Sequence, residues 1–406
     1  MPPNWPEIPL GELCSAPLRN GVSVPKESRG SGALMVNMGE LFSQPRIHDD
    51  LAERVPLTPS EADRFLLAEG DLLFARRSLT LDGAGKCSLV MACNEPRTWE
   101  SSIIRVRPDP SLVSSEYLYY LFRSPQGRSR IETIVEQVAV AGIRSSDLAN
   151  LRIPVPSLRE QIAFADVLGT LDDKIESNRQ VVRLLADVLA ASWRSRFGAE
   201  ASDWDVLPIG EVTAVVGGST PRTSTDEYWG GEIAFATPKD LSNLSSVALF
   251  ETARRITDLG LKQISSGLLP AGTVLLSSRA PIGYLAVSEV PVAVNQGFIA
   301  LPPSGKLPGL YLWQWLWHNM DLIKERANGT TFLEVSKASF RPILISVPPF
   351  GLVTSWMDVA TPAHRRLVAA EAESRAIADL RNSLLPKLLT GQVRVSEAND
   401  LVSGAV

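Results

Sequence analysis

Two short stretches contain residue types that enzymes use to bind phosphate and to activate an amine. The first, TLDGAGKCS from Thr80 to Ser88, joins glycine and lysine in the manner of a phosphate-binding loop. Such a loop requires a glycine where Thr80 stands and a Mg²⁺-binding hydroxyl where Cys87 follows Lys86. We therefore expect no ATP site in this stretch.

The second stretch, SVPPF from Ser346 to Phe350, is similar to the Asn-Pro-Pro-Phe loop of adenine methyltransferases. Val347 stands where that loop needs a side chain that accepts a hydrogen bond from the target amine. In addition, no glycine-rich turn is followed, about 20 positions later, by the acidic residue of a dinucleotide-type site. The sequence thus predicts a chain that binds no cofactor of its own.

Composition gives no sign of metal, disulfide or membrane chemistry. Cys14, Cys87 and Cys93 form no C-x-x-C pair, and the three histidines are scattered, so no nucleophile and base are visible together. The formal net charge of -5 provides no overall positive field, although a local basic face is compatible with it. The N-terminus lacks a leader-like pattern, and we find no membrane-spanning apolar run, so we expect a cytoplasmic protein.

Polar residues at the ends of β-like runs offer a different chemistry, which is hydrogen bonding to nucleic acid. Arg76 and Arg77 end one run, and Arg279 ends another. An arginine at such a position can donate two hydrogen bonds to O6 and N7 of guanine or to a phosphate. Asn295 and Gln296 have the amide groups that read adenine N6 and N7. Each residue alone is more often a solvated loop residue, but their shared enrichment in turns beside strands indicates a reading surface.

The elements that position these residues occur twice, because the chain repeats itself in order. WPEIPLGEL at Trp5 returns as WDVLPIGEV at Trp204, and LLAEGDLLFARR returns as LLPAGTVLLSSR, which aligns Arg77 with Arg279. Further matches join SEYLYYLFRS to PGLYLWQWLWHN, and IRSSDLANLRIPVP to VSKASFRPILISVP. A duplicated unit of roughly 200 residues predicts two domains of similar fold.

The aromatic run YLWQWLWHN contains Trp313, Trp315 and Trp317, which could stack on bases. Its counterpart YLYYLFRS indicates instead a short helix whose rings mostly pack in a core. We expect packing, because sequence-tolerant stacking sites normally lie in basic grooves.

Each repeat ends in a long helical segment, and we expect both segments to break at equivalent points. These points are Gly169-Thr170 and Thr361-Pro362, with Thr170 and Asp173 capping the helix that follows the first break. After the breaks, heptad spacing predicts a seam for one partner helix, formed by Leu171, Ile175, Val182, Leu185, Leu189, Leu367, Ile377, Leu384 and Leu388. Arg196 and Arg381 are expected to weaken that seam.

Two arrangements of these helices fit the pattern. Because the seam spans only about four heptads, each helix could lie on its own domain. The duplication favours pairing, since two copies of one helix can meet about a pseudo-two-fold axis. Short β-like runs punctuated by glycine and proline predict α/β (α+β) structure in each repeat. The predicted fold is therefore two similar domains of mixed α/β structure separated by two long helices that pair as an antiparallel coiled coil.

The motifs resemble those of one known family, the specificity subunits of type I restriction-modification systems. GGSTPRTSTDEYWGGEIAFATPKDL from Gly217 is similar to the family's Gly-Gly-Thr-Pro, Tyr-Trp-Gly-Gly and Asp-Leu pattern, with Ser219 inserted. Its other signatures are similar to VNQGF at Val294, GTTFLEVSKASF at Gly329, SSDLANLRIPVPSLREQ at Ser145, LDDKIESNRQ at Leu171 and LLPKLLTGQVRV at Leu384. The resemblance extends from Trp5 to about Val395.

The sequence departs from the family pattern at two places. PPFGLV in the second repeat replaces PSLREQ of the first, which predicts an irregular helix before Pro362. The first repeat has NGVSVPKESRGSG at Asn20 in place of the Gly-Gly-Thr-Pro stretch. This divergence suggests that the two domains read different sequences.

The resemblance implies a non-catalytic reader with two target-recognition domains, each binding half of a split site on double-stranded DNA. It implies target-recognition domains at 1–155 and 199–347, helical spacers at 156–198 and 348–395 that hold them apart, and a C-terminal tail at 396–406. The implied partners are two methyltransferase subunits, which use S-adenosylmethionine, and through them restriction subunits, which use ATP and Mg²⁺.

A glycine-rich turn can bring backbone N–H groups close to DNA phosphate while it presents polar side chains nearby. The predicted DNA-binding residues are Arg76, Arg77, Ser78, Lys86, Arg144, Thr220, Arg222, Thr223, Lys239, Arg279, Asn295, Gln296 and Lys337.

Two other functions are open at this point. One is a DNA methyltransferase or nuclease fragment whose catalytic loop is unrecognised. Such an enzyme would need an intact methyltransferase tetrapeptide, such as Asn-Pro-Pro-Phe, and a glycine loop for its cofactor. The other is a protein-only scaffold that uses the helices, which gains support if neighbouring genes encode no methyltransferase.

Overall fold

The computed structural model describes residues 5–48, 51–137, 141–199, 204–242, 244, 247–279, 281–303, 305–328 and 333–404. Gly329–Phe332, part of the motif at Gly329, lies outside these residues. The chain divides into two compact units, of which the first contains residues 1–175 and 376–406 and the second contains residues 176–375. Both divisions fall inside long helices, so each unit holds the beginning of one helix and the end of the other.

The strands of the first unit are β1 Glu7–Pro9, β2 Cys14–Asn20, β3 Ala33–Val36, β4 Arg46–Ile47, β5 Arg54–Val55, β6 Leu72–Ala75, β7 Arg77–Ser78, β8 Cys87–Val90, β9 Arg97–Trp99, β10 Ile103–Pro108, β11 Glu136–Gln137, β12 Ala141–Gly142 and β13 Arg152–Pro154. Those of the second are β14 Asp205–Pro208, β15 Trp229–Ala236, β16 Ala248–Leu249, β17 Arg254–Ile256, β18 Val274–Ser277, β19 Leu285–Ser288, β20 Val292–Val294, β21 Phe298–Leu301 and β22 Leu344–Val347.

The helices, in chain order, are α1 Met38–Ser43, α2 Pro59–Phe65, α3 Ser115–Arg123, α4 Pro125–Glu132, α5 Ser145–Asn150, α6 Leu158–Phe197, α7 Ile209–Val212, α8 Pro238–Ser242, α9 Asp258–Leu261, α10 Gly309–His318, α11 Met320–Lys324, α12 Lys337–Phe340, α13 Phe350–Leu389 and α14 Val395–Ser403.

The two units share most of their strand topology. In the first, β3 lies between antiparallel β5 and parallel β9, and in the second, β15 lies between antiparallel β17 and parallel β20. A second sheet has the order β2-β10-β6-β8-β4 in the first unit and β16-β19-β18-β21 in the second. Each unit also pairs its first strand with its last, as β1 with β13 and β14 with β22. The predicted duplication and mixed α/β fold are confirmed.

Each unit packs one aromatic helix against its larger sheet. Helix α3 buries Tyr117 and Tyr120 in a core with Phe74 and Ile104 of that sheet. Helix α10 buries Trp313 and Trp315 in the second unit, whereas Trp317 is 57% exposed. The prediction that these aromatic residues mostly pack is therefore confirmed for two of the three tryptophans.

Helix α6 is continuous from Leu158 to Phe197, so the predicted break at Gly169-Thr170 is wrong. Thr170 does not cap a helix, because its hydroxyl donates to the carbonyl of Asp166 inside the helix at 2.9 Å. The helix begins instead with a capping box, in which Oε2 of Glu160 accepts from the backbone N–H of Ser157 at 3.0 Å and from its hydroxyl at 2.7 Å.

Helix α13 is also continuous, from Phe350 to Leu389, and the predicted break at Thr361-Pro362 is wrong. A proline inside a helix removes the hydrogen bond to the carbonyl four residues earlier, which belongs to Asp358. Both Pro362 and Asp358 are exposed, so water can satisfy that carbonyl. The irregular helix predicted before Pro362 is likewise regular.

Within each unit the two long helices run antiparallel. In the second unit, Asn178 donates to Glu373 at 2.9 Å, and the indole of Trp356 donates to the hydroxyl of Ser192 at 3.1 Å. In the first unit, Asp172 pairs with Arg381. Arg381 therefore joins the helices, and its effect on the strength of the seam stays a prediction.

The predicted seam residues all face protein. Leu171, Ile175, Ile377, Leu384 and Leu388 lie in one buried cluster of the first unit. The remaining members, which are in the second unit, lie in or against one cluster: Val182, Leu185, Leu189 and Leu367.

The residues predicted to form a C-terminal tail include helix α14. Its Ala398 and Val402 are buried in the core of the first unit.

Within the part of the chain that the structure describes, no helix is both long and apolar enough to span a membrane.

Candidate nucleic-acid interface

The glycine-rich stretch of the second unit lies as a loop against the end of β20. A side chain on Gly218 would come within 1.5 Å of the carbonyl oxygen of Val294, and one on Gly217 within 2.9 Å of that of Phe298. Only glycine permits this approach at position 218, because any Cβ would overlap the neighbouring backbone. The glycines therefore set the position of the loop over the strands.

A side-chain hydrogen bond joins this loop to the turn after β20. Oγ1 of Thr220 donates to Oε1 of Gln296 at 2.6 Å, and both side chains are exposed. Oδ1 of Asn295 accepts from the backbone N–H of Gly297 at 2.8 Å, which forms an Asx turn. The structure thus brings Thr220 and Gln296 together and commits the Asn295 oxygen to holding the turn.

Helix α8 packs against the same turn. A side chain on Gly297 would come within 2.8 Å of Pro238, the first residue of α8. Asp240 caps the start of this helix, because its Oδ2 accepts from the hydroxyl of Thr237 at 2.6 Å and from the backbone N–H of Thr237 at 2.7 Å. Lys239 is therefore presented, exposed, beside the turn.

Arg279 and Lys337 lie next to these loops. The backbone N–H of Ser278 donates to the carbonyl of Gly297 at 2.8 Å, which places Arg279 beside the turn. A side chain on Gly217 would come within 3.0 Å of Nζ of Lys337. Arg222 and Thr223 follow Thr220 in the same loop. We call the loop surface of the second unit the set of Thr220, Arg222, Thr223, Lys239, Arg279, Asn295, Gln296 and Lys337.

The first unit places a matching arginine at the matching point. Arg77 in β7 pairs with Gly142 in β12, and Arg279 forms the same antiparallel bridge with Glu334. Gly142 and Glu334 directly precede the repeated segments at Ile143 and Val335, so the two bridges are equivalent. The duplication therefore positions one strand-end arginine in each unit by the same backbone contact.

The other predicted residues of the first unit have partners within the protein. Nη1 of Arg76 lies 3.4 Å from the carbonyl of Ser101, and Arg144 forms an ion pair of 2.8 Å with Glu136. The hydroxyl of Ser78 accepts from the backbone N–H of Thr80 at 3.1 Å.

Lys86 is also committed to the protein. It donates to the carbonyl of Phe42 at 3.0 Å and lies 5.1 Å above the centre of that ring. Burial lowers the pKa of Lys86, and the nearby Arg123 lowers it further. A DNA contact by Arg76, Ser78, Lys86 or Arg144 stays a prediction, and each would have to be made alongside these internal partners.

The structure reveals a pair of residues that the sequence patterns did not single out. The guanidinium of Arg254 lies 3.4 Å from the centre of the Trp229 ring. The indole N–H of Trp229 donates to the carbonyl of Arg222 at 3.1 Å, so the pair adjoins the loop surface. The Tyr-Trp-Gly-Gly pattern marked Trp229, but only the pairing of β15 with β17 brings Arg254 to it.

The thiols of two cysteines are not activated as nucleophiles. Burial raises the pKa of Cys14 to about 11 and raises that of Cys87 as well. Among residues the structure describes, no three His, Cys, Asp or Glu side chains are grouped to hold a metal ion. The polar groups of the loop surface are instead suited to hydrogen bonding with phosphates and base edges.

Comparison with known proteins identifies relatives along the whole chain. The model of the type I restriction modification DNA specificity domain matches residues 2–183 and 201–351. The type I restriction enzyme MjaIX specificity subunit of Methanocaldococcus jannaschii is 37% identical over 164 residues, which cover 38% of each chain. The HindI specificity subunit of Haemophilus influenzae is 19% identical over 468 residues, covering 96% of this chain and 100% of the relative.

A solved structure has the same fold. The type I restriction-modification system S subunit from M. genitalium superposes with a TM-score of 0.61 at 18% sequence identity. The superposition covers 95% of this chain and 96% of that one.

Proposed function

We propose that this chain, which belongs to the type I restriction modification DNA specificity family, reads a split site on double-stranded DNA, with each of its two units reading one half. It is the non-catalytic specificity subunit of a type I restriction-modification system. What remains to be assigned is how each unit reads its half-site and what the chain binds besides DNA.

The observation that carries this assignment is the pair of equivalent bridges, Arg77 with Gly142 and Arg279 with Glu334. Each presents an arginine at the end of a strand, where the guanidinium can donate to guanine or to a phosphate. The surrounding loops differ in sequence, and in the second unit the contact between Thr220 and Gln296 joins two of them. One scaffold with two sets of loops suits the reading of two different half-sites.

The partners that we propose are two methyltransferase subunits, which supply S-adenosylmethionine, and restriction subunits that join through them and use ATP and Mg²⁺. In this proposal the chain binds no cofactor itself, and the complex works on DNA in the cytoplasm. The hydrogen bond from Lys86 to the Phe42 carbonyl and the missing loop residues at Thr80 and Cys87 support the absence of a nucleotide site in the TLDGAGKCS stretch.

Co-expression with the cognate methyltransferase subunit tests this function. We expect methylated adenines to appear in host DNA at one bipartite sequence, as mapped by methylation-sensitive sequencing. The chain expressed alone should produce none. Methyl transfer by the purified chain, free of partners, would contradict the non-catalytic role. Partner binding without any DNA binding would favour the scaffold alternative.

A further inference from the structure

Arg254 is the most closely stacked arginine among the residues that the structure describes. Its guanidinium lies 3.4 Å from the Trp229 ring centre, whereas the other arginine contacts with rings measure 5.2 to 5.4 Å. At the shorter distance Cζ of Arg254 is in van der Waals contact with the face of the Trp229 ring. Stacking of this kind fixes the plane of the guanidinium and leaves the N–H groups at its edge unoccupied.

The tryptophan is itself held in place from two sides. Its indole N–H donates to the carbonyl of Arg222 at 3.1 Å. Its ring meets that of the fully buried Phe235 edge to face, with 5.4 Å between centres and an angle of 84°. Trp229 is therefore a rigid platform, and Arg254 lies on it as an exposed but oriented side chain.

The neighbouring arginine on the same strand has a different environment. Arg255 lies 3.6 Å from the carboxylate of Glu232. For Arg254, no carboxylate among the residues with defined positions lies within ion-pair distance. Two adjacent arginines of β17 thus differ, since Arg255 is paired with an acid and the exposed Arg254 has no acidic partner among the described residues.

Strand register identifies the equivalent residues of the first unit. Arg54 lies opposite Leu34 in β3, and Arg255 lies opposite Ala234 in β15. In each unit the central strand leads directly into a capped helix, which is α1 after β3 and α8 after β15. Leu34 and Ala234 lie at the same position before that helix, so Arg54 corresponds to Arg255. Like Arg255, Arg54 has an acidic partner, which is Glu95 at 2.7 Å.

The position equivalent to Arg254 is occupied by Glu53, the residue before Arg54. Glu53 forms an ion pair with Arg29 at 2.5 Å. A structural role thus accounts for the arginine that both units share, whereas the stacked arginine belongs to the second unit alone. A residue that distinguishes two otherwise equivalent readers is a candidate for setting what one of them reads.

Arg254 also lies beside the loop surface. Oδ1 of Asp240 in α8 accepts from the backbone N–H of Ala253 at 2.7 Å, which ties the start of β17 to the helix that presents Lys239. On its other side, the platform touches the loop through the carbonyl of Arg222. The oriented guanidinium is therefore continuous with the residues that the proposed function assigns to DNA.

We propose that Arg254 is a specificity-determining residue of the second unit, which donates from its guanidinium edge to a pair of acceptors on DNA, and that Trp229 positions it. This proposal rests on the proposed DNA-reading function. The acceptors on a base edge that fit two adjacent N–H groups are O6 and N7 of guanine. Two oxygens of a phosphate fit the same donors without reading a base, and the test distinguishes this alternative.

Four variants test the assignment in the complete complex with its methyltransferase subunits. Arg254→Ala removes the donors, and Arg254→Lys keeps the charge but loses the planar pair of donors. Trp229→Phe weakens the platform while keeping a ring against Phe235. Arg255→Ala is the matched control, because it removes the same charge from the adjacent position. Methylation-sensitive sequencing gives the motif of each complex, and binding to a duplex carrying the parental motif is measured across salt concentrations.

If the acceptor is guanine, Arg254→Ala and Arg254→Lys should both relax the motif at one base pair of one half-site. Binding to the parental duplex should weaken about 5- to 100-fold, and Trp229→Phe should act in the same direction. If the acceptor is a phosphate, the motif should persist while Arg254→Ala weakens all duplexes alike and reduces the salt slope by about 1. In both cases Arg255→Ala should keep the parental motif.

An Arg254→Ala complex that keeps the parental motif would overturn the assignment of specificity. Uniform weakening with a smaller salt slope would then indicate a phosphate contact, and unchanged affinity and salt slope would exclude any DNA contact by Arg254. Equal effects of Arg254→Ala and Arg255→Ala would overturn the assignment as well, since they would indicate general charge. Melting temperatures of the variants separate these results from misfolding. If the parental complex itself gives no methylation motif, the proposed function fails. If the parental complex gives a motif and the Arg254 variants give the same one, the failure is confined to this inference.

Discussion

The hydroxyl of Tyr120 donates a 2.8 Å hydrogen bond to Oδ2 of Asp172 inside the first unit. Oδ1 of the same carboxylate pairs with Arg381, and Arg46 lies 3.8 Å away. Because Asp172 is only 8% exposed, its charge is stabilised by these partners more than by water. One carboxylate thus connects α3, α6 and α13.

Replacing Arg381 with methionine should destabilise the first unit. The change leaves a buried carboxylate with fewer partners, and we expect a loss of about 2 kcal/mol in the free energy of unfolding, less than for a fully unpaired charge because Tyr120 and Arg46 remain. Hydrogen exchange of α3 and α13 measures this loss. The double variant Asp172→Asn/Arg381→Met should recover part of it.

The control for this change is Arg183→Met on α6. Arg183 forms an ion pair with Glu176 at 2.9 Å, but its side chain is 62% exposed. Exposed pairs contribute about 0 to 1 kcal/mol, so the control should change stability little. Equal losses in the two arginine variants would show that burial of Asp172 is unimportant.

Glu371 should make the stability of the second unit depend on pH. Burial raises the pKa of Glu371 to about 8. A backbone hydrogen bond from Ala248 opposes this shift, and the negative charge of Glu289 adds to it. Glu289 itself lies 3.4 Å from His364. Since the folded-state pKa is above the ordinary value of 4.5, the folded unit retains this proton more tightly than the unfolded chain. Its stabilising effect is complete below about pH 4.5 and is lost as pH rises to about 8.

The variant Glu371→Gln removes that proton equilibrium. We expect its unfolding transition to match the parent near pH 4 and to be more stable by about 1 kcal/mol or more above pH 8. Melting curves between pH 4 and 9 give the comparison, with Glu325→Gln at an exposed position as the control. A constant difference at all pH values would argue against titration of Glu371.

A methyl group on Gly218 should disturb recognition by the second unit. The added Cβ would overlap the carbonyl oxygen of Val294, so the loop must move away from β20 and carry Thr220 from Gln296. We expect Gly218→Ala to lower binding to the parental site by about tenfold or more, as for the loss of a good base contact. Gly351→Ala is the matched control, because its added Cβ meets nothing within 4 Å. A parental affinity in Gly218→Ala would show that the loop does not contact DNA.

Alanine at individual reading positions should affect one half-site at a time. Gln296→Ala and Arg279→Ala should relax one position in the half read by the second unit, whereas Arg77→Ala should alter only the other half. Each lost base contact should cost about 1 to 3 kcal/mol. Asn295→Ala should have a broader effect, because its oxygen holds the turn at Gly297. Uniform weakening of all sequences by every variant would reassign these residues to phosphate contacts.

Periodic and repeated patterns predicted most of the architecture. The match of Arg77 with Arg279 required only the order of residues, and the structure places both in equivalent bridges. Heptad spacing predicted Leu171 and Leu384 as seam residues because burial on one side of a helix leaves a regular imprint. Such signals are local or self-similar, so they can be recognised without knowing any three-dimensional contact.

Contacts between distant residues could not be predicted in this way. Arg381 looked unfavourable in its seam because its acidic partner, Asp172, belongs to the other helix. The break at Pro362 was predicted from the proline, which is a local signal. The helix continues through this proline, and Asp358, whose carbonyl loses its hydrogen bond, is an exposed residue. The stacking of Arg254 on Trp229 depends on the register between two strands. The sequence next to either residue does not indicate that register.

The division of the chain inside both long helices has a consequence for how the protein is made. Residues 176–375 form an uninterrupted stretch, whereas the first unit combines segments from both sides of it. A ribosome therefore releases the whole second unit before it releases Ile377, Leu384 and Leu388, which complete the core of the first. The domain that is translated first is finished last. A nonsense codon soon after residue 375 would leave every residue of the second unit in place and would damage the amino-terminal domain.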